Sequence, residues 1–175
     1  MKVTKIKLIL LLVMFVVASL AFVNGNSYAN GGWVSYTWKQ YKIKFEVPSN
    51  FKVKQNNAQK FIAGDSHMTF EIYPWKDPNV TAKDVADRAL DDLSIDDYDS
   101  AESQVYEQDD FNGFKGYEVV GTGTQKGKGI GFRVFGLIDP EGATNFAAYC
   151  VYWRDSLEDD NASLAKEIFE TISKM

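Results

Sequence analysis

From residue 41 the chain alternates. In Tyr41-Lys42-Ile43-Lys44-Phe45-Glu46-Val47 the odd positions are apolar and the even ones charged. A period of two puts one face on a core and the other in water, which predicts a strand. Pro48 stops it, and Ser49-Asn50 turns the chain into Phe51-Lys52-Val53. An upstream strand over 34–38 is expected to pair with it through Lys39-Gln40. Residues 60–63 and 67–73 read as a hairpin closed by Gly64-Asp65-Ser66, with Met68, Phe70 and Ile72 on one face and Pro74 as its end.

The period then changes. Val85, Ala86, Ala89, Leu90 and Leu93 recur at helical spacing and predict a helix that ends near Ser94. Thr81 can cap it with Asp84 three residues on, and Val80 and Val85 flank the turn as a staple. Residues 96–110 are acidic and poorly patterned, with one strand expected around 104–106. Three strands follow at 113–122, 130–138 and 145–153, separated by segments rich in turn residues. The last is apolar on both faces, which places it inside a sheet. A terminal helix over 157–174 carries Leu164, Ala165, Ile168, Phe169 and Ile172 as its stripe, with Ser156 and Asp159 as its cap. Consecutive strands read as antiparallel, so the fold class is α+β: one antiparallel sheet covered by helices.

Residues before this pattern set the compartment. Lys2, Lys5 and Lys7 precede a run from Leu8 to Val23 that is apolar apart from Ser19. Ser27-Tyr28-Ala29 then offers a small-x-small cleavage site before Asn30; a cut after Ala21 is the alternative. This layout predicts a signal peptide over 1–29 and one domain over 30–175, working outside the cytoplasm as a periplasmic or secreted protein. The run is short for a spanning helix and polar residues follow at once, so no membrane span is expected after cleavage. No cysteine follows the run, which excludes a lipoprotein anchor.

Removing residues 1–29 removes three lysines and no acids, taking the net charge from −5 to −8. That charge argues against nucleic acid as a partner. Cys150 is the only cysteine, so no internal disulfide can form. The domain must rely on its core, for which 14% aromatic residues are well suited.

Tyr41-x-Ile43-x-Phe45-x-Val47-Pro48-x-Asn50-Phe51 resembles the opening of PsbP-like domains, named for an extrinsic subunit of photosystem II. The middle helix, the long hairpin region and the closing Glu167-Ile168-Phe169-Glu170-Thr171-Ile172 extend the resemblance over 34–174. It implies an α/β/α sandwich around an antiparallel sheet and an accessory or binding role. No functional residue of that family can be matched here.

Candidate chemistry is sparse. Gly64-Asp65-Ser66-His67 starts like the nucleophile block of a lipase/esterase family. A serine nucleophile needs a histidine held by a carboxylate. The single histidine is His67, next in sequence, and strand neighbours point to opposite faces. Gly-Asp-Ser is also an ordinary turn. The glycines at 121, 123, 127, 129 and 131 suggest a phosphate cradle, yet strand periodicity follows them where a helix would be needed.

Asp96, Asp97, Asp99, Glu102, Asp109 and Asp110 could bind calcium weakly, but EF-type spacing fails at Ala101 and Glu102, so calcium is not favoured. One histidine and one cysteine make zinc improbable, and no cofactor is implied. Cys150 reads as a small core residue. Trp33, Trp38, Trp75, Trp153 and the tyrosines could line an apolar or sugar-stacking groove, although most are expected in the core or covering its edge; Trp75, beside Pro74 and Pro78, is the candidate ligand- or partner-binding residue. Asn79-Val80-Thr81 and Asn161-Ala162-Ser163 match the glycosylation pattern. The expected function is an exported non-catalytic binding or accessory module with a protein partner. The alternatives are a carrier of a small apolar ligand, which needs an internal cavity, and an unrecognised hydrolase, which needs an acid–base pair.

Overall fold

The structure, a computed structural model, describes residues 29–30, 32–95, 104–142, 144–155 and 158–175. Residues 1–28 of the expected leader, residues 96–103 of the acidic stretch, and residues 156–157 with the expected cap Ser156 lie outside them. The strands are β1 (Ala29–Asn30), β2 (Trp33–Trp38), β3 (Ile43–Pro48), β4 (Lys52–Asn56), β5 (Phe61–Gly64) and β6 (Met68–Trp75). Helix α1 (Ala82–Asp92) follows, then β7 (Gln104–Phe111), β8 (Phe114–Gln125), β9 (Lys128–Ile138) and β10 (Asn145–Trp153). Helix α2 (Glu158–Glu170) and β11 (Ser173–Lys174) close the chain.

These strands build two antiparallel sheets, where one was expected. The larger has the order β4-β5-β6-β10-β9-β8-β7 and the smaller β1-β2-β3-β11. As its two apolar faces require, β10 lies at the centre of the larger sheet, between β6 and β9. Phe146, Ala148, Cys150 and Tyr152 face a core shared with α2 and the small sheet. Ala147, Tyr149 and Val151 face α1. The fold is α+β, but strand-rich and uneven: one face of the large sheet is covered by α1, the other by α2 and the small sheet together.

The capping box at Thr81 forms: Asp84 N donates to Thr81 Oγ1 at 3.2 Å, and Thr81 N donates to Asp84 Oδ2 at 2.8 Å. Val85, Ala86, Ala89 and Leu93 are buried; Leu90, expected with them, is only partly covered. Four boundaries shift. Strand β3 starts at Ile43, because residues 39–41 form a turn of 3-10 helix and Lys42 takes a left-handed φ of 53°. Strand β6 runs through Pro74 to Trp75. Its pairing with β5 ends at Ile72, so the missing proline N–H costs no ladder bond on that side.

The glycine-rich stretch after Gly121 forms paired strand, with only Lys126-Gly127 as a tight turn at positive φ. Finally, α2 ends at Glu170. Ile172 is fully buried but lies in the following turn, where β11 pairs with β3. Cys150 is fully buried, as its strand predicts, and burial pushes its thiol pKa up. Asn161 is also buried, with Nδ2 lacking a hydrogen-bond partner, so of the two sequons only Asn79 is exposed on the folded surface. No helix of the described residues is long and apolar enough to cross a membrane.

Candidate functional site

Helix α1 is shorter than the strands it lies on. Among the described residues, the same sheet face stays open near its C-terminal end as a groove of about 440 Å³. Thr69 of β6, Tyr149 and Val151 of β10 supply the floor; Asp92 and Leu93 close one end. Lys54, Gln125 and the turn residues Asp65, Ser66 and His67 stand at the rim, beside Trp153.

Local sequence fixes the turn. Asp65 Oδ1 accepts from His67 N at 2.8 Å and Met68 N at 2.9 Å, an Asx-type arrangement. A Cβ on Gly64 would lie 2.2 Å from Met68 O, so only glycine lets the chain reverse there. The turn is stitched to β10. Trp153 N donates to His67 O at 3.0 Å, and Trp153 Nε1 donates to Ser66 O at 3.1 Å. Lys128 Nζ lies 5.4 Å over the Trp153 ring. His67 Nδ1 is 3.2 Å from Asp155 Oδ2, and both side chains remain more than a third exposed.

The opposite wall is held as firmly. Gln125 Nε2 donates to Leu93 O at 3.0 Å, tying β8 to the end of α1. Tyr73 Oη donates to Asp92 Oδ2 at 3.3 Å. Burial and the neighbouring carboxylates of Asp92 and Glu71 push the Tyr73 pKa up, and Tyr149, which donates to Glu71, moves the same way for the same reasons. Glu71 is itself buried and takes an ion pair from Lys60. Lys54 Nζ reaches Thr69 Oγ1 at 3.5 Å. The groove therefore offers an apolar floor with donors and acceptors of both charges around it.

Trp75 sits at the far end of β6, half-buried against the α1 core with its ring 6.4 Å from that of Tyr73. It lies on a strand, not in a connecting loop, and does not line the groove. Trp153, another of the tryptophans the sequence offers for a groove, does. Ser66 and His67 both line the groove although they are neighbours, because they belong to the turn and not to a strand. The Asp155 partner of His67, 88 residues away, could not be read from spacing. Among the described residues no hydrogen bond links Ser66 Oγ to His67, so the serine, base and carboxylate do not form a connected relay.

No family model matches the sequence, and no curated protein matches it. Solved structures do. The Saccharomyces cerevisiae Ran-binding protein Mog1p superposes with a TM-score of 0.53 at 9% identity, covering 80% of this chain and 94% of that one. A Bacteroides thetaiotaomicron structure gives 0.48 at 12% identity over 81% of this chain, which spans about half of that structure (48%). LpqN of Mycobacterium tuberculosis, involved in cell envelope biogenesis, gives 0.44 at 11% identity, covering 85% and 81%. At these identities the likeness concerns architecture alone: the chain shares its fold with Mog1p.

Proposed function

We propose that this chain is an exported, non-catalytic module that binds a protein partner through the groove beyond α1. The groove lining carries the reading. Val151 and the Tyr149 ring on the floor and Trp153 at the rim provide apolar and aromatic contact, with Lys54, Asp65, His67 and Asp92 as polar groups around them. An apolar centre inside a polar rim is the anatomy of a protein-binding patch. A partner's apolar side chain fits the floor, and its backbone finds donors and acceptors at the edge. Mog1p, a Ran-binding protein on the same fold, supports a binding role for this architecture. Ran itself is not carried over. Export rests on the lysine-led apolar segment and the Ser27-Tyr28-Ala29 site.

The carrier reading has less support. The described core is packed with phenylalanine rings in mutual contact, such as Phe45 with Phe61 at 4.9 Å and Phe135 with Phe169 at 5.2 Å. The groove is rimmed by charges that an apolar ligand would have to desolvate. The test is affinity capture from the organism's own extracytoplasmic fraction, comparing wild type with Val151→Lys. That change puts a cation on the groove floor. A protein retained by wild type and lost with the variant, at unchanged circular dichroism, is expected. Equal retention by both refutes the groove as the binding surface.

A further inference from the structure

The large sheet has two outer strands, and they carry opposite charge. On one side β4 reads Lys52-Val53-Lys54-Gln55-Asn56, with two cations and no acid. On the other β7 contains Glu107, Asp109 and Asp110, with no cation. Among the described residues neither has a strand on its outer side. An open edge presents unpaired N–H and C=O groups, and proteins guard such edges with charge. Like charges here discourage β4 from meeting β4 and β7 from meeting β7. They do not guard against β4 meeting β7.

A second observation points the same way. Large exposed apolar side chains among the described residues are Val53, Val105, Tyr106 and Met175, at 43%, 50%, 44% and 60% exposure. All but Met175 sit on these two strands. Each edge therefore combines an open ladder, exposed apolar area and charge complementary to the other edge.

We infer that a second copy of this chain docks edge to edge, β4 of one molecule pairing with β7 of the next. Every neighbouring pair in the sheet is antiparallel, so β4 and β7 run the same way in one molecule. An antiparallel junction thus turns the next copy over, and α1 alternates between the faces of the continued sheet. The contact is heterologous, so each added copy leaves a new β4 and a new β7 edge for further growth. Strand β4 has five residues, with a bulge between Val53 and Gln55. The junction is short, which keeps the association weak and reversible. Lys54 lies on this edge and also lines the groove, so the charge-reversed β7 variant, which touches no groove residue, separates this inference from the proposed binding site.

The experiment is sedimentation of the mature, exported protein across a concentration series at low and high salt. The weight-average mass is expected to rise with concentration beyond a dimer, and the rise to shrink at high salt, because exposed charges are screened. Two charge-reversed variants separate this contact from any other: Lys52→Glu with Lys54→Glu, and Glu107→Lys with Asp109→Lys. Asp110 is left alone because its Oδ1 holds Gly113 N in the adjoining turn at 3.0 Å. Each variant alone is expected to stay monomeric, and an equimolar mixture of the two to associate again, since every junction then joins opposite charges. A wild type that is monomeric throughout overturns the inference. So does association that survives both reversals, or a mixture that remains monomeric. A wild type that stays monomeric yet takes up a lysine-rich extended peptide along β7 would assign that edge to a foreign strand and equally overturn self-pairing.

Discussion

Replacing Gly136 by alanine puts a methyl group where the backbone of α1 already lies. Gly136 is on β9, opposite Ala147 of β10 and Tyr117 of β8. A Cβ built there would stand 1.9 Å from Ala82 O and 2.7 Å from Ala86 N. Ordinary contact begins near 3.4 Å, so the first turn of α1 must retreat by about 1.5 Å. Neither obstacle is a flexible side-chain end. The helix is anchored by its capping box at Thr81, and Val85, Ala86 and Ala89 are fully buried, so it cannot tilt without opening gaps. Overpacking of this kind costs ~1–3 kcal/mol. Alanine's smaller unfolded-state entropy returns ~0.4–1 kcal/mol, so a cost near the top of that range leaves a net loss of about 2 kcal/mol. Urea denaturation of Gly136→Ala against wild type measures it. Gly129→Ala is the control: its Cβ would meet Arg154 Cβ at 3.5 Å, an ordinary contact. A Gly136→Ala midpoint equal to or above wild type would refute the packing of α1 on β9.

Other consequences follow from the same structure. Ile168→Ala, at a fully buried position of α2, is expected to cost ~2–5 kcal/mol in the same denaturation assay. Amides of 162–170 should exchange far more slowly than an unfolded peptide, since α2 packs through Ala165, Ile168 and Phe169. Cys150 should resist a thiol reagent until the protein unfolds, because the buried thiol stays protonated and unreachable. Ser66→Ala should leave any esterase turnover of the folded protein unchanged; complete loss would restore the hydrolase reading. Asp139 tests the pH dependence. Burial alone would push its carboxyl up, but Lys174 and the turn amides of Glu141 and Gly142 outweigh it and hold the pKa low. A depressed carboxylate stabilises above its unfolded pKa and loses that contribution as pH falls through the folded value. The stability gap between wild type and Asp139→Asn should thus be full at neutral pH and close as pH drops below about 4.

Elements whose signal is local were legible. The Thr81/Asp84 box and the Val85-Ala86-Ala89 stripe gave α1 to within a residue of its start, because a capping box involves only four positions. The Asn145–Trp153 strand was readable in extent and in depth, since an all-apolar strand has no face to offer water. Where a local rule met a tertiary pairing, the pairing prevailed. Pro74 should end a strand and does not, because β10 still pairs with it while β5 has already stopped. Glycines from Gly121 to Gly131 look like a loop in isolation. In the sheet they give β8 and β9 long paired arms, and Gly131 leaves room for the Tyr152 ring, 2.3 Å from where its Cβ would be.

The groove was illegible for a different reason: its residues owe their meeting to topology. His67 and Asp155 are brought together because β6 begins where β10 ends, an antiparallel register that no spacing rule contains. Trp153 reads as core because it closes an apolar strand, yet the last residue of a central strand is where a covering helix can fall short. Helix α1 packs over β9, β8 and β10 and meets the end of β8 where Gln125 holds Leu93 O, which leaves the β10–β6 side of the face open. Among the described residues the opening is thus a matter of breadth: one 11-residue helix packs on three strands of a seven-stranded sheet. Its residues, Lys54, Asp65, Asp92 and Gln125 around Val151, provide polar groups of both charges about the floor. One helix on a broad sheet leaves room for the patch; its mixed lining is what suits it to the proposed partner.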